Sequence, residues 1–124
     1  MNFPDVVWVG LAGSTGALAR FVVDREIDGR VRSLVPLGTV VINISGALLL
    51  GLLTGLVLFD HAPRMLTLVA GAGFCGGFTT FSTSSNEAVA LLRQGDYRSA
   101  ALHGGVTLAG ALVGGAVGLA LAWL

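Results

Sequence analysis

Polar and apolar positions divide this chain into four long apolar runs separated by short polar segments. The first, 3–23, is broken only by Asp5 near its start, by Ser14 and Thr15, and by Arg20 near its end. The second, 36–59, has Asn43 as its one strongly polar side chain. The third, 65–92, holds Glu87 and an unusual polar middle, and the fourth, 100–124, has no formal charge other than any on His103. A helix needs about 20 apolar residues to cross a hydrocarbon layer about 30 Å thick. Strands of a membrane barrel need only about ten, in strict alternation, which is absent here. The pattern therefore predicts an all-α integral membrane protein: one domain, 1–124, with transmembrane helices at 3–23, 36–59, 65–92 and 100–124. Its two termini lie on the same side, and Trp123 sits at an interfacial position. The segments 24–33, 60–64 and 93–98 read as solvated connections. Asp5 stands where a signal peptide would have basic residues, so the first run is expected to be retained.

Composition agrees with the pattern and removes other classes. Only 11% of the 124 residues are charged, against roughly 25% in an average soluble domain, which is too few to build a water-facing surface. The formal net charge is zero and all seven basic residues are Arg; without a basic footprint, nucleic acid is excluded as a partner. Cys75 is the one cysteine, so neither an internal disulfide nor a cysteine metal site is available. Gly71, Gly73 and Gly76 spell G-x-G-x-x-G by chance, since no strand or βαβ unit surrounds them. Asn43-Ile44-Ser45 spells a sequon at bilayer depth, where no glycan can be added. No nucleophile–base pair, metal-ligating cluster or phosphate loop remains, and an enzyme is not expected.

The 19 glycines point to packing. Helices in lipid associate through small residues that let backbones approach. Gly110, Gly114 and Gly118 form one such seam, and Ala47, Gly51 and Gly55 form another. The first run has the pairs Ala12 with Gly16 and Gly13 with Ala17. These seams predict a compact bundle or dimer.

Polar residues within the runs need a reason to be there, because a charge at the bilayer centre costs about 2.5–3.5 kcal/mol on insertion scales. Arg20 either snorkels to the interface or attracts anions in a vestibule. Asn43, on a face with Thr39, Gly46 and Ala47, either bonds a neighbouring helix or lines a pathway. His103 and Thr107 share a face of the fourth run, and His103 reads as an interfacial, structural residue. In the third run Gly71, Gly73, Gly76 and Gly77 precede Thr79, Thr80, Phe81, Ser82, Thr83, Ser84, Ser85 and Asn86. Flexible glycines followed by hydroxyls that can bond freed carbonyls predict a helix broken at membrane depth. Carbonyls at such a break bind cations and half-helix N-termini favour anions, so an ion site is expected.

The run Gly73-Phe74-Cys75-Gly76-Gly77-Phe78-Thr79-Thr80-Phe81-Ser82-Thr83 carries a family resemblance. Together with Gly13-Ser14-Thr15-Gly16-Ala17-Leu18-Ala19-Arg20 and Gly38-Thr39-Val40-Val41-Ile42-Asn43-Ile44-Ser45-Gly46, it resembles the Fluc (CrcB-type) fluoride channels over essentially the whole chain. The resemblance implies a four-helix protein of the cell membrane, with dual topology, that assembles as an antiparallel dimer with two pores and exports fluoride passively, protecting the cell from fluoride toxicity. It implies that Asn43 lines the pore, that the Phe81 ring edge faces fluoride, and that Ser82, Thr83 and Glu87 form a polar track. It places Thr107 at a pore-lining serine of the fourth helix, Arg20 in the vestibule, and a structural sodium ion on the backbone carbonyls of Gly76 and Thr79 at the dimer axis. Fluoride is small and strongly hydrated, so a dry pore must replace its water with close donors. The Asn43 amide and the hydroxyls of Ser82, Thr83 and Thr107 can donate, and the positive ring edge of Phe81 is a weaker partner.

This chain departs from the family pattern in two places. Ser84 stands where a second phenylalanine usually follows the first, and His103 stands where tyrosine is common. Arg25, Arg30, Arg32, Arg93 and Arg98 lie on one side of the membrane and only Arg64 on the other, a bias that favours one orientation. Two assemblies follow from these features: an antiparallel homodimer, or a heterodimer with an oppositely oriented paralogue that supplies the missing phenylalanine. The alternative from another class is a small four-helix secondary transporter of the drug/proton antiporter type. That mechanism needs a carboxylate deep in the bundle, usually in the first helix, and the first run has only Asp5, close to its end.

Overall fold

Helical segments satisfy their backbone hydrogen bonds internally, which lipid requires of anything but a closed barrel. The computed structural model describes residues 1–33 and 35–124 and is helical through the greater part of all four runs. In order, the elements are α1 (Phe3–Arg30), α2 (Leu37–Phe59), α3 (Arg64–Leu66), a wider π-wound stretch (Thr67–Cys75), α4 (Gly76–Phe78), α5 (Phe81–Arg93) and α6 (Tyr97–Trp123). Among the described residues four segments are long and apolar enough to cross a membrane: Phe3–Arg30, Leu37–Phe59, Arg64–Arg93 and Tyr97–Trp123.

Two helix ends differ from the apolar runs. α1 continues seven residues past Val23 through a segment expected to be a solvated connection. Its 28 residues span about 42 Å at 1.5 Å per residue, more than the hydrocarbon layer, so the charged turns stand beyond it. The Glu26–Arg30 pair, 3.0 Å apart at i,i+4, supports that extension. α6 starts at Tyr97 rather than 100, because Asp96 caps it by accepting from the Ser99 amide at 3.1 Å. The Ser99 hydrogen bonds hold the exposed Asp96 carboxyl below its ordinary range. The turn before it depends on Gly95, whose φ of +78° is the left-handed region. Asp5 has a local role as well: its amide donates to the Asn2 side chain at 3.2 Å, and its carboxylate accepts from the Asn2 amide at 3.1 Å. This capping box fixes the start of α1.

α2 packs along α6, α1 packs against the first half of the third span, and α5 rests on α6. The small-residue seams are used within the chain. A Cβ on Gly51 would overlap the Gly115 carbonyl, and one on Gly118 would overlap the Leu48 carbonyl. Phe59 and Trp123 close the far end of this pair edge-to-face, with ring centroids 4.8 Å apart. Gly51→Val is therefore expected to destabilise the chain by about 1–3 kcal/mol, measured as a lower midpoint of thermal unfolding in detergent. An unchanged midpoint would mean that α2 and α6 meet elsewhere.

Two glycines of the third span, Gly73 and Gly77, have a different job from the one expected. Gly73 lies against Val9 and Ala12 of α1, and a Cβ on Gly77 would overlap the Gly13 carbonyl. They permit close approach to α1, and their backbone stays helical. The extended residues are the two threonines that follow, Thr79 (φ −79°, ψ 159°) and Thr80 (φ −149°, ψ 120°).

Candidate functional site

The site grows from the hydrogen bonds that Thr79 and Thr80 cannot make. In a continuous helix the Thr80 amide would donate to Gly76 and the Thr83 amide to Thr79. Here the Thr80 amide donates to Asn43 Oδ1 at 2.8 Å and the Thr83 amide to Thr80 Oγ1 at 3.2 Å. The carbonyls of Gly76 and Thr79 thereby lose their helical donors. Thr79 accepts instead from Arg20 Nη1 at 3.4 Å. Asn43 Nδ2 returns a bond to the Thr80 carbonyl at 2.9 Å, so one side-chain amide clasps both polar groups of a single residue. This satisfies backbone that would otherwise be costly at membrane depth.

Thr80 also caps α5 through its hydroxyl, as hydroxyl residues commonly do. Its own proton goes to Thr83 Oγ1 at 3.3 Å, which leaves the Thr83 hydroxyl proton free. Thr80 carried no assigned role in the sequence reading, although a hydroxyl just before a helix is a cap signal. Thr80→Ala is expected to cost about 1 kcal/mol of stability, read as a lower thermal midpoint; an unchanged midpoint would show that the cap contributes nothing.

Two cavities flank the clasp. The larger, about 880 Å³, is bordered by Asn43, Gly76, Thr79, Phe81 and Thr107 among others, including Ser84. Phe81 is 88% exposed and directs its ring away from its own chain. The Thr107 hydroxyl is buried with no hydrogen-bond partner among the described residues. The smaller cavity, about 140 Å³, is bordered by Arg20, Asp24, Thr39, Thr80 and Thr83 among others. Arg20 thus turns inward toward Thr79. Glu87 lies behind both, accepting from Thr39 Oγ1 at 2.8 Å with its Oε1. Its Oε2 is 3.4 Å from His103 Nε2. His103 is fully buried, with Ser84 Oγ at 3.5 Å from the same nitrogen; it faces α5 and is not an interfacial residue. Ser82 is exposed and borders neither cavity.

Eight of the nine expected site residues therefore fall into three groups, and Ser82 stands apart from them. Asn43, Phe81, Thr107, Gly76 and Thr79 meet at the large cavity, Arg20 and Thr83 meet at the small one, and Glu87 joins α2 to α6. The Gly76 and Thr79 carbonyls are neutral oxygens deprived of helical donors, the kind of ligand a hard cation takes, although the Thr79 oxygen also accepts from Arg20. Among the described residues no group of three His, Cys, Asp or Glu side chains is arranged for a metal ion.

Comparison with known proteins adds to this geometry. A family model described as "CrcB-like protein, Camphor Resistance (CrcB)" matches residues 7–119. The chain is 46% identical over 119 residues to Fluoride-specific ion channel FluC 1 of Leifsonia xyli subsp. xyli, covering 96% of this chain and 85% of that protein. It is 48% identical over 119 residues to Fluoride-specific ion channel FluC 2 of Cutibacterium acnes, covering 94% and 95%. It is 46% identical over 120 residues to Fluoride-specific ion channel FluC 1 of Symbiobacterium thermophilum, covering 94% and 96%.

Proposed function

Since this chain belongs to the CrcB-like family, we propose that it is the subunit of a fluoride-selective channel through which fluoride leaves the cell down its gradient. It is a multi-pass membrane protein and not an enzyme. One observation carries the reading: free hydrogen-bond donors gather around an interrupted helix inside an apolar bundle, in a chain whose relatives are fluoride-specific ion channels. Asn43 spends one amide N–H on Thr80 and keeps the other. Thr83 and Thr107 each keep a hydroxyl proton, for the reasons given above, whereas Ser82 lies outside both cavities and is not counted among these donors. These donors replace the water that fluoride gives up, and the Phe81 ring edge adds a weaker positive contact. Arg20 draws the anion toward the small cavity as a vestibule. Glu87 orders the track by accepting from Thr39. Larger halides fit these closely set donors poorly.

The third span functions here as a broken helix, a reading supported by the extended Thr79 and Thr80. The assembly is an antiparallel dimer. Supporting it are the open large cavity and the outward Phe81 ring, since a single chain leaves both on its surface. Gly76 and Thr79 of each protomer would hold a structural sodium ion on their carbonyls, and that charge offsets part of the cost of an anion nearby. The Arg bias and Ser84 favour a second reading of the partner as an oppositely oriented paralogue. The experiment is expression in a bacterium lacking its own fluoride export, alone and beside such a paralogue. Restored growth on fluoride in either arm supports the channel, and continued sensitivity in both contradicts it.

A further inference from the structure

Glu87 is a negative side chain beside a path for a negative ion. Its surroundings make this worse: Asp24 and Asp28 of α1 act on it with like charge. Arg20, on the same helix, is engaged with Asp24 and with the Thr79 carbonyl. From α2 the facing group is the Thr39 hydroxyl, which cannot supply a charge. From α6 the facing group is His103. Among the described residues His103 is the one titratable group within ion-pair distance of Glu87 Oε2, at 3.4 Å, and it is fully buried. Its Nδ1 has no hydrogen-bond partner among the described residues, and neither has Glu87 Oε2. Among the described residues each of these two side chains is the other's one ion-pair partner, in a place where an isolated charge is expensive.

We propose that His103 and Glu87 hold one proton between them, and that this proton sets whether the fluoride path is open to an anion. With the proton present the pair is neutral overall, whether it sits on imidazole or on carboxyl. Without it a full negative charge stands beside the track, close to Asp24 and Asp28, and repels fluoride. His103 acts through Glu87 and is a positioning and charge-compensating residue. This deepens the channel reading and rests on it.

The test is fluoride efflux from proteoliposomes holding the conducting dimer, at equal pH inside and out, stepped from about pH 6 to about pH 9, with leak from protein-free vesicles subtracted. Wild-type flux is expected to fall at least about tenfold as the pair loses its proton. Glu87→Gln removes the charge and is expected to give flux that does not change with pH. His103→Gln is expected to conduct poorly already at neutral pH and to recover when Glu87→Gln is added. If His103→Gln does not fold, the Glu87→Gln profile decides alone. A flat wild-type profile, or a Glu87→Gln profile that keeps the wild-type fall, overturns the proposal while leaving the channel intact. Absence of fluoride flux at every pH overturns the channel reading and this inference with it.

Discussion

Asn43→Asp is expected to abolish fluoride conduction. The substitution places an oxygen where Nδ2 now donates to the Thr80 carbonyl at 2.9 Å, so two acceptors face each other and the clasp opens on one side. It also removes the second amide N–H, the donor left for the ion. A carboxylate about 4 Å from fluoride, at an effective dielectric constant of about 20, repels it by about 4 kcal/mol. At about 1.4 kcal/mol per factor of ten, that is about a thousandfold in flux. The measurement is efflux from proteoliposomes beside a thermal midpoint of the same preparation. Lost flux with little change in midpoint places Asn43 in the path, and retained flux removes it from the path.

Phe81→Leu is the second large effect. The ring borders the large cavity and is 88% exposed on its own chain, so the exchange disturbs little of the fold around it. Leucine keeps most of the apolar bulk and lacks the positive ring edge. Aromatic geometry contributes about 0.5–1.5 kcal/mol beyond area burial, which corresponds to a fall in fluoride flux of up to about tenfold. Ser84, three residues further along α5, is not aromatic, so no second ring follows Phe81 one turn on. Wild-type flux in Phe81→Leu would show that the ring is a spacer and not a partner of the ion.

Span number and rough placement were legible, because apolar length is dictated by the membrane and leaves its mark residue by residue. Helix ends were less so. The charges at 24–30 look like a loop, yet nothing in them stops a helix once it has left the hydrocarbon, and Asp96 starts α6 through a cap that hydropathy does not register. Gly73 and Gly77 depart from expectation for a related reason. A glycine that admits a neighbouring helix and one that frees the backbone look alike in sequence, and only the contacts of Gly73 and Gly77 with α1 separate them.

The site divides along the same line. Asn43 was visible as a polar side chain with no local reason to be buried. Its partner was hidden, because the clasp joins positions 37 residues apart. The bond from Thr39 to Glu87 crosses 48 residues and was equally out of reach. His103 read as interfacial from its place near the end of an apolar run, and its burial against α5 depends on how α5 rests on α6. Sequence displays the cost of each buried polar group, whereas the group that repays it is set by packing.

The central claim is selective passage of fluoride, and the most direct measurement is paired efflux of fluoride and chloride from proteoliposomes containing the purified chain, alone and beside a candidate paralogue of opposite orientation. The predicted result is rapid fluoride efflux in at least one of the two preparations once an ionophore makes potassium permeant to balance charge, with chloride release no faster than from protein-free vesicles. Equal release of both ions, or no fluoride release from either preparation, would contradict it.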